Sequence, residues 1–272
     1  MKSDAIAAPS PSVVNPLFGF FMQIHAVFSA EVQKLRHDPF ELATRAIQPL
    51  LWLLLFGQVM ANVRGITPGN LHYIDYLAAG ILAQSVLFSA IFFGISAIWE
   101  KDLGILHRMM VSPAPRSTIV LGKALAAGVR GVIQGIIVYG IATVAGAHVS
   151  INPLHILGVL ALIALGSALF STLSLIIACI VKTRERFMGI GQVLTMPLFF
   201  ASNAIYPLAL MPAWLQNIAR FNPLTYQVDG LRALMIAGGT TEYGFIADYG
   251  ILAGVFCLLV LIAERMYPKL VA

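Results

Sequence analysis

Charged residues are scarce in this 272-residue chain, and one segment that gathers both signs is Glu100–Thr118 (EKDLGILHRMMVSPAPRST). Glu100, Lys101, Asp102, His107 and Arg108 place both signs of charge on what reads as a short helix. Pro113 and Pro115 then stop it. Held under a membrane, such a helix can dock into a soluble partner; an ordinary surface loop is the plainer reading of the same residues. Arg130 is the second candidate, because it is the one charge inside an apolar run. It lies about 9 Å along a helix from Ala124. Either it snorkels to the near interface, or it serves a pathway or an inter-helix contact. Gly128 and Gly131 permit close helix approach in both cases.

Absences narrow the chemistry. Gly122-Lys123 lacks the upstream glycine and the Ser/Thr of a phosphate-binding loop, so no ATP site of that kind is expected in this chain. HExxH and GxSxG are missing, and six scattered histidines give neither a metal site nor a catalytic constellation. Cys179 and Cys257 lie in apolar runs and read as packing residues. All twelve acidic residues fall in loops or near span ends, with Asp75 and Asp248 at one end and Glu100 and Glu264 at the other. An ion-driven carrier usually keeps a carboxylate near the membrane midplane. The expectation is therefore a protein with no catalytic residue, no metal and no cofactor of its own.

These residues must be positioned by membrane helices. Apolar residues make up 59% of the chain and charged ones 11%, and the mean hydropathy is +0.86. That excludes a soluble enzyme, a disordered chain and a disulfide scaffold. The net charge of +5 is dispersed between apolar runs and does not point to nucleic acid. The first residues, with Lys2, Asp4 and three prolines, do not read as a secretory signal. A helix needs about 20 apolar residues to cross a bilayer. Gly131–Val181 has no Asp, Glu, Lys or Arg and as one helix would run about 77 Å, so it must turn back near Gly146–Pro153. Six spans result, near 46–63, 76–99, 123–145, 154–181, 187–209 and 245–263, within an all-α six-helix transmembrane domain at 41–266. Thirteen lysines and arginines fall on the side that includes both termini and three on the other, which puts both termini inside.

Two further elements stand outside the count. In residues 17–40, Leu17, Phe21, Ile24, Phe28 and Leu35 share a narrow stripe while Gln23, Gln33 and Lys34 face away. This reads as an amphipathic helix on the inner face, preferred over a seventh span because spanning would put Lys34 and Arg36 outside. Residues 1–16 are expected to be a disordered cytoplasmic stretch and 267–272 a cytoplasmic tail. Between spans 5 and 6, Met211–Phe221 reads as one short outer helix. Asn222–Gly239 (NPLTYQVDGLRALMIAGG) reads as another, with Asn222 as N-cap and Pro223 at the first helical position.

The amphipathic helix, Tyr76–Leu125 (YLAAGILAQSVLFSAIFFGISAIWEKDLGILHRMMVSPAPRSTIVLGKAL), the six spans and Asn222–Met235 (NPLTYQVDGLRALM) together resemble the membrane subunit of ATP-binding-cassette type-2 exporters. Within that family the chain is most similar to the daunorubicin-resistance permease branch. The resemblance implies a half-transporter in the prokaryotic plasma membrane. It would assemble with a second permease subunit, identical or not, and with two separate ABC ATPase subunits carrying ATP and Mg. It assigns coupling to the ATPase to Glu100, Asp102, Leu103, Gly104, Leu106, His107 and Arg108. Ser112, Pro113 and Arg116 would shape the return, and Lys34 and Arg36 would lie near the ATPase. Reversing Glu100 and Asp102 to Lys is expected to uncouple transport while leaving the protein inserted. The pathway would use Gln84, Phe88 and Phe92 on span 2, Met196, Phe199 and Asn203 on span 5, and Arg130. Its apolar and aromatic character suits a drug, an antibiotic or a lipid-like molecule, with a polysaccharide or lipo-oligosaccharide second. A secondary carrier and a non-transporting membrane assembly factor remain as competing classes.

Overall fold

A computed structural model describes residues 16–37, 39–61, 72–106, 115–181 and 183–271. Of the expected disordered stretch 1–16, residues 1–15 lie outside that set and Pro16 opens a helix. The described residues are helical between short connections, with one isolated bridge, Val149 to Ile236. The chain opens with α1 (Pro16–His37) and α2 (Pro39–Leu51). A π-helical stretch, Trp52–Gly57, and α3 (Gln58–Ala61) continue α2. Next come α4 (Tyr73–Asp102), α5 (Arg116–Val144), α6 (Pro153–Val181) and α7 (Arg184–Phe200). The short α8 (Ala213–Phe221) and α9 (Pro223–Met235) precede α10 (Phe245–Met266) and α11 (Pro268–Val271).

Four of these helices, α4, α5, α6 and α10, are long and apolar enough to cross a membrane. α6 is the hub and packs on α4, α5, α9 and α10. Small residues permit this: a Cβ on Gly131 of α5 would overlap the Ser167 hydroxyl of α6. α4 is buried around most of its circumference, whereas α10 is mostly exposed. α11 does not hang free, since Tyr267 and Leu270 are fully buried against Ala97, Leu106 and Ile119.

Two expected spans differ. The first lies within α2, the π-helical stretch and α3, so its helix is irregular rather than continuous. The fifth does not run to residue 209. Pro197 sits in the last turn of α7, the helix stops at Phe200 after 17 residues, and 201–207 is unwound. A 17-residue helix is about 26 Å long, short of a hydrocarbon core near 30 Å.

An unwound segment among membrane helices must have its backbone bonded by protein, and here it does. Tyr76 donates to the Asn203 carbonyl at 2.9 Å, Tyr73 to that of Ile205 at 3.2 Å, and Arg232 to that of Asn203 at 2.7 Å. Gly80 of α4 lies under Ala204, where a Cβ would come to 2.0 Å from the carbonyl oxygen. Asn222 joins two helix ends. Its side-chain oxygen accepts from Leu224 N at 3.0 Å and caps α9. Its amide donates to the carbonyls of Leu198 and Ala201, at 2.6 and 2.9 Å, and closes α7.

Candidate functional site

Four charges meet at the end of the bundle that carries α1. Lys123 of α5 is completely buried, and its ammonium donates to Glu31 Oε1 (2.7 Å) and to both oxygens of Glu100 (2.9 and 2.7 Å). Lys34 donates to Glu100 Oε1 at 2.6 Å and to Glu31 Oε1 at 3.3 Å, with its side chain half exposed. All three protons of Lys123 thus have acceptors, and the two cations balance the two carboxylates. Burial pushes the Glu31 carboxyl up, but Lys123 and Lys34 outweigh that and hold it below its ordinary value. One ionic cluster therefore ties α1, the end of α4 and the start of α5 together.

The sequence reading missed this knot. On α1 the buried face runs through Ile24, Glu31 and Leu35, while Phe18 and Phe21 point outward. Phe21 therefore leaves the expected stripe. Glu31 lies inside that stripe, seven residues after Ile24 and four before Leu35. A carboxylate on an apolar face signals a buried partner, and Lys123 between Gly122 and Ala124 carries the matching signal.

The coupling segment is arranged differently from the expected helix. Glu100 and Asp102 ride on the last turn of α4, which ends in a turn at Leu103 and Gly104, and Ile105 and Leu106 are helical again. Gly104 has φ +70°, a conformation that favours glycine. Glu100 is buried in the knot and is not a free docking group. Leu106 is fully buried with Ala97 and Ile119, so it too faces the core. Leu103 and Asp102 are exposed, Asp102 pairing with Arg184 of α7 at 2.5 Å. Arg184 also lies over the Trp99 ring at 3.7 Å. Arg116 is exposed at the start of α5. His107, Arg108, Ser112 and Pro113 lie outside the described residues, as does the side chain of Arg36.

The pathway residues divide. Gln84, Phe88 and Phe92 come together, lining a pocket of about 230 Å³ between α2 and α4 with Thr44, Gln48, Ser85 and Ser89. Phe92 also lines a second pocket, of about 460 Å³, with Trp99, Glu100, Lys34 and Arg130. Arg130 packs on Phe93, its guanidinium 5.2 Å from the ring centre, and Lys123 approaches the same ring at 5.9 Å. Span 5 supplies less. Phe199 is fully buried edge-on to Trp52, 6.2 Å between ring centres, and Asn203 is buried under Arg232 and Tyr76. Both belong to the packed interior: Phe199 on the last turn of α7 and Asn203 in the unwound stretch after it. Met196 is half-buried and lines neither pocket.

The arrangement gathers charged and aromatic side chains at one end of the bundle. Among the described residues no cluster of three metal-ligating side chains exists. It offers a mechanical tie next to a groove. A transport permease, ycf38, of Cyanophora paradoxa is 29% identical over 223 residues, covering 80% of this chain and 75% of the relative. Nodulation protein J of Rhizobium leguminosarum bv. trifolii is 28% identical, covering 70% of this chain and 71% of its own. The inner membrane transport permease YadH of Escherichia coli K12 is 23% identical, covering 76% and 80%. The ABC-2 type transporter family matches residues 22–236, from α1 through α9. This multi-pass membrane chain belongs to the ABC-2 type transporter family, as a transmembrane permease subunit.

Proposed function

We propose that the chain is the membrane half of an ATP-driven exporter for an amphipathic or hydrophobic compound, such as a drug, an antibiotic or a lipid-like molecule. The end carrying the knot faces the cytoplasm with both termini, in a prokaryotic plasma membrane. Two ABC ATPase subunits bind there and carry ATP and Mg; a second copy of this chain completes the path. Tyr76–Leu125 and Asn222–Met235 favour the drug-resistance branch.

The observation that carries the reading is the buried knot of Glu31, Lys34, Glu100 and Lys123 beside the α4 groove. A push on the exposed turn at Leu103 and Gly104 cannot move the end of α4 without moving α1 and α5. Closure of the ATPases therefore displaces the groove wall as one body, and the two permease halves rock between inward and outward openings. One observation favours a second reading, export of a polysaccharide or lipo-oligosaccharide. The smaller pocket holds Thr44, Gln48, Gln84, Ser85 and Ser89 beside Phe88, a lining suited to hydroxyl-rich cargo.

Purification from native membranes in mild detergent tests the proposal. An ATPase should co-purify near one-to-one, and its hydrolysis should respond to amphipathic compounds more than to glycans. A well-folded chain that repeatedly emerges alone would sink the exporter reading.

A further inference from the structure

The turn that follows α4 is a natural bending point. Regular helix bonding stops at Leu103 and Gly104, and Gly104 has φ +70°. A turn of this kind passes on a load only if the chain is held on both sides of it. On the near side Glu100 is fixed in the knot by two bonds from Lys123. On the far side Leu106 is fully buried. The cluster that buries it is drawn from separate elements: Ala97 of α4, Ile119 of α5, Leu175 of α6, and Tyr267 and Leu270. The last two are supplied by the junction of α10 and α11 and by α11 itself.

α11 has four residues, Pro268–Val271, too few to be stable through its own hydrogen bonds. Yet Tyr267 and Leu270 are both 0% exposed, and α11 packs on α4, α6 and α10. Contact with three longer helices therefore holds it, not helix propensity. The Tyr267 hydroxyl is buried with no hydrogen-bond partner. Its ring, and not its hydroxyl, does the holding. The grip on Leu106 is thus apolar packing, separate in kind from the ionic grip on Glu100.

We propose that Tyr267 and Leu270 are positioning residues for the coupling turn. They hold Leu106 against the bundle and so fix the far side of the Leu103–Gly104 turn. A push at exposed Leu103 then passes into α4 instead of being spent in bending the turn. The inference rests on the exporter reading for its meaning. The anchoring itself needs no ATPase, so the two can fail separately.

Hydrogen exchange of the full-length permease in phosphatidylcholine nanodiscs tests the anchor. Leu270→Ala should speed exchange over residues 103–106 about tenfold or more, while α9 exchanges as in the parent. Leu270→Val, a smaller cut, should act in the same direction and serves if the alanine variant does not fold. Tyr267→Phe keeps the ring and should exchange like the parent. Leu252→Ala is the matched control: it deletes the same side chain from another fully buried site, in α10 and in a different cluster. Thermal unfolding checks that each variant is folded. Transmission is read on the complex with its co-purified ATPase. ATP, Mg and orthovanadate, which trap such ATPases closed, should change exchange at residues 84–92 of α4. That change should shrink about threefold or more in Leu270→Ala and persist in Leu252→Ala. Unchanged exchange at residues 103–106 in the folded Leu270 variants would overturn the proposal. So would an equal acceleration in Leu252→Ala, or faster exchange at the turn with undiminished transmission to α4. Faster exchange at the turn with no ATPase co-purifying from the parent would keep the anchor and sink the exporter reading alone.

Discussion

Replacing Lys123 by Met should be among the most damaging single changes in the protein. Methionine fits the volume but removes three hydrogen bonds, to Glu31 Oε1 and both oxygens of Glu100. Both carboxylates stay 3–4% exposed, with Lys34 as their remaining cationic partner among the described residues. Removing one side of a buried ion pair costs about 3–5 kcal/mol, because the other charge is left uncompensated. Lys34 is half exposed and screened, so it recovers only part of that. The lower end, about 3 kcal/mol, corresponds to a roughly 150-fold shift in the folding equilibrium. Thermal unfolding in a mild detergent reads this directly. The triple change Lys123→Met, Glu31→Gln, Glu100→Gln removes the charges together and should restore most of the loss, since an uncharged cluster of similar volume is often neutral. A Lys123→Met protein as stable as the parent would refute the burial argument. A triple variant as damaged as the single one would refute the electrostatic cause.

The remaining predictions test neighbouring parts of the same logic. Glu100→Lys should destabilise the fold, because it sets a third cation beside Lys34 and Lys123. Asp102→Lys loses only an exposed pair with Arg184 and should leave stability within about 1 kcal/mol while exporting poorly. For Glu100 this departs from the expectation that both reversals leave the protein inserted, and membrane yield compared with transport checks it. Asn222→Ala removes a helix cap and two donors to the end of α7, costing roughly 2–3 kcal/mol, while Asn222→Ser keeps a capping oxygen and should recover about 1 kcal/mol in the same unfolding assay. Gly80→Ala drives a methyl into the Ala204 carbonyl and should lower stability by more than 2 kcal/mol; Gly140→Ala has open space and should not. The Glu31 carboxyl is held below its ordinary value near 4.5. Its stabilisation is therefore complete above that value and disappears as pH falls through the lower folded one. The unfolding temperature should be flat from neutrality to about pH 5 and drop below about 4.5, a drop that Glu31→Gln removes; a Glu31-dependent loss already between pH 7 and 5 would contradict the sign.

Much of the architecture is legible because a bilayer enforces it. Long uncharged runs can only be helices, so α4, α5, α6 and α10 follow from hydropathy. Asn222 and Pro223 announce α9 for a local reason, a cap and a compatible first residue. What the sequence hides depends on contact between distant segments. Leu106 looks like a docking residue in EKDLGILHRMM, yet it is buried because Ile119 and Tyr267 come to meet it. Phe199 looks like a pathway residue on span 5, but it is buried against Trp52, a residue 147 positions away in the chain. Pro197 was the visible mark of the break at residues 201–207, and hydropathy averaged over it. Glu31 and Lys123 lie 92 residues apart, and each alone reads as an interface charge. Only their shared position on otherwise apolar faces implies the partner.

On the exporter reading, the knot also decides where motion can occur. Separating buried opposite charges is costly, so α1, the end of α4 and the start of α5 form one block. Freedom must lie where regular helix bonding is already interrupted: the Leu103–Gly104 turn, the unwound residues 201–207 and the π-helical stretch Trp52–Gly57. The last of these adjoins α2, whose Thr44, Gln48 and Pro49 form the far wall of the groove against α4. A block that carries α4 past a more pliable α2 changes the width of that groove without breaking the knot. The transmitting part is thus the rigid one, and the path opens along the seam between the rigid and irregular helices.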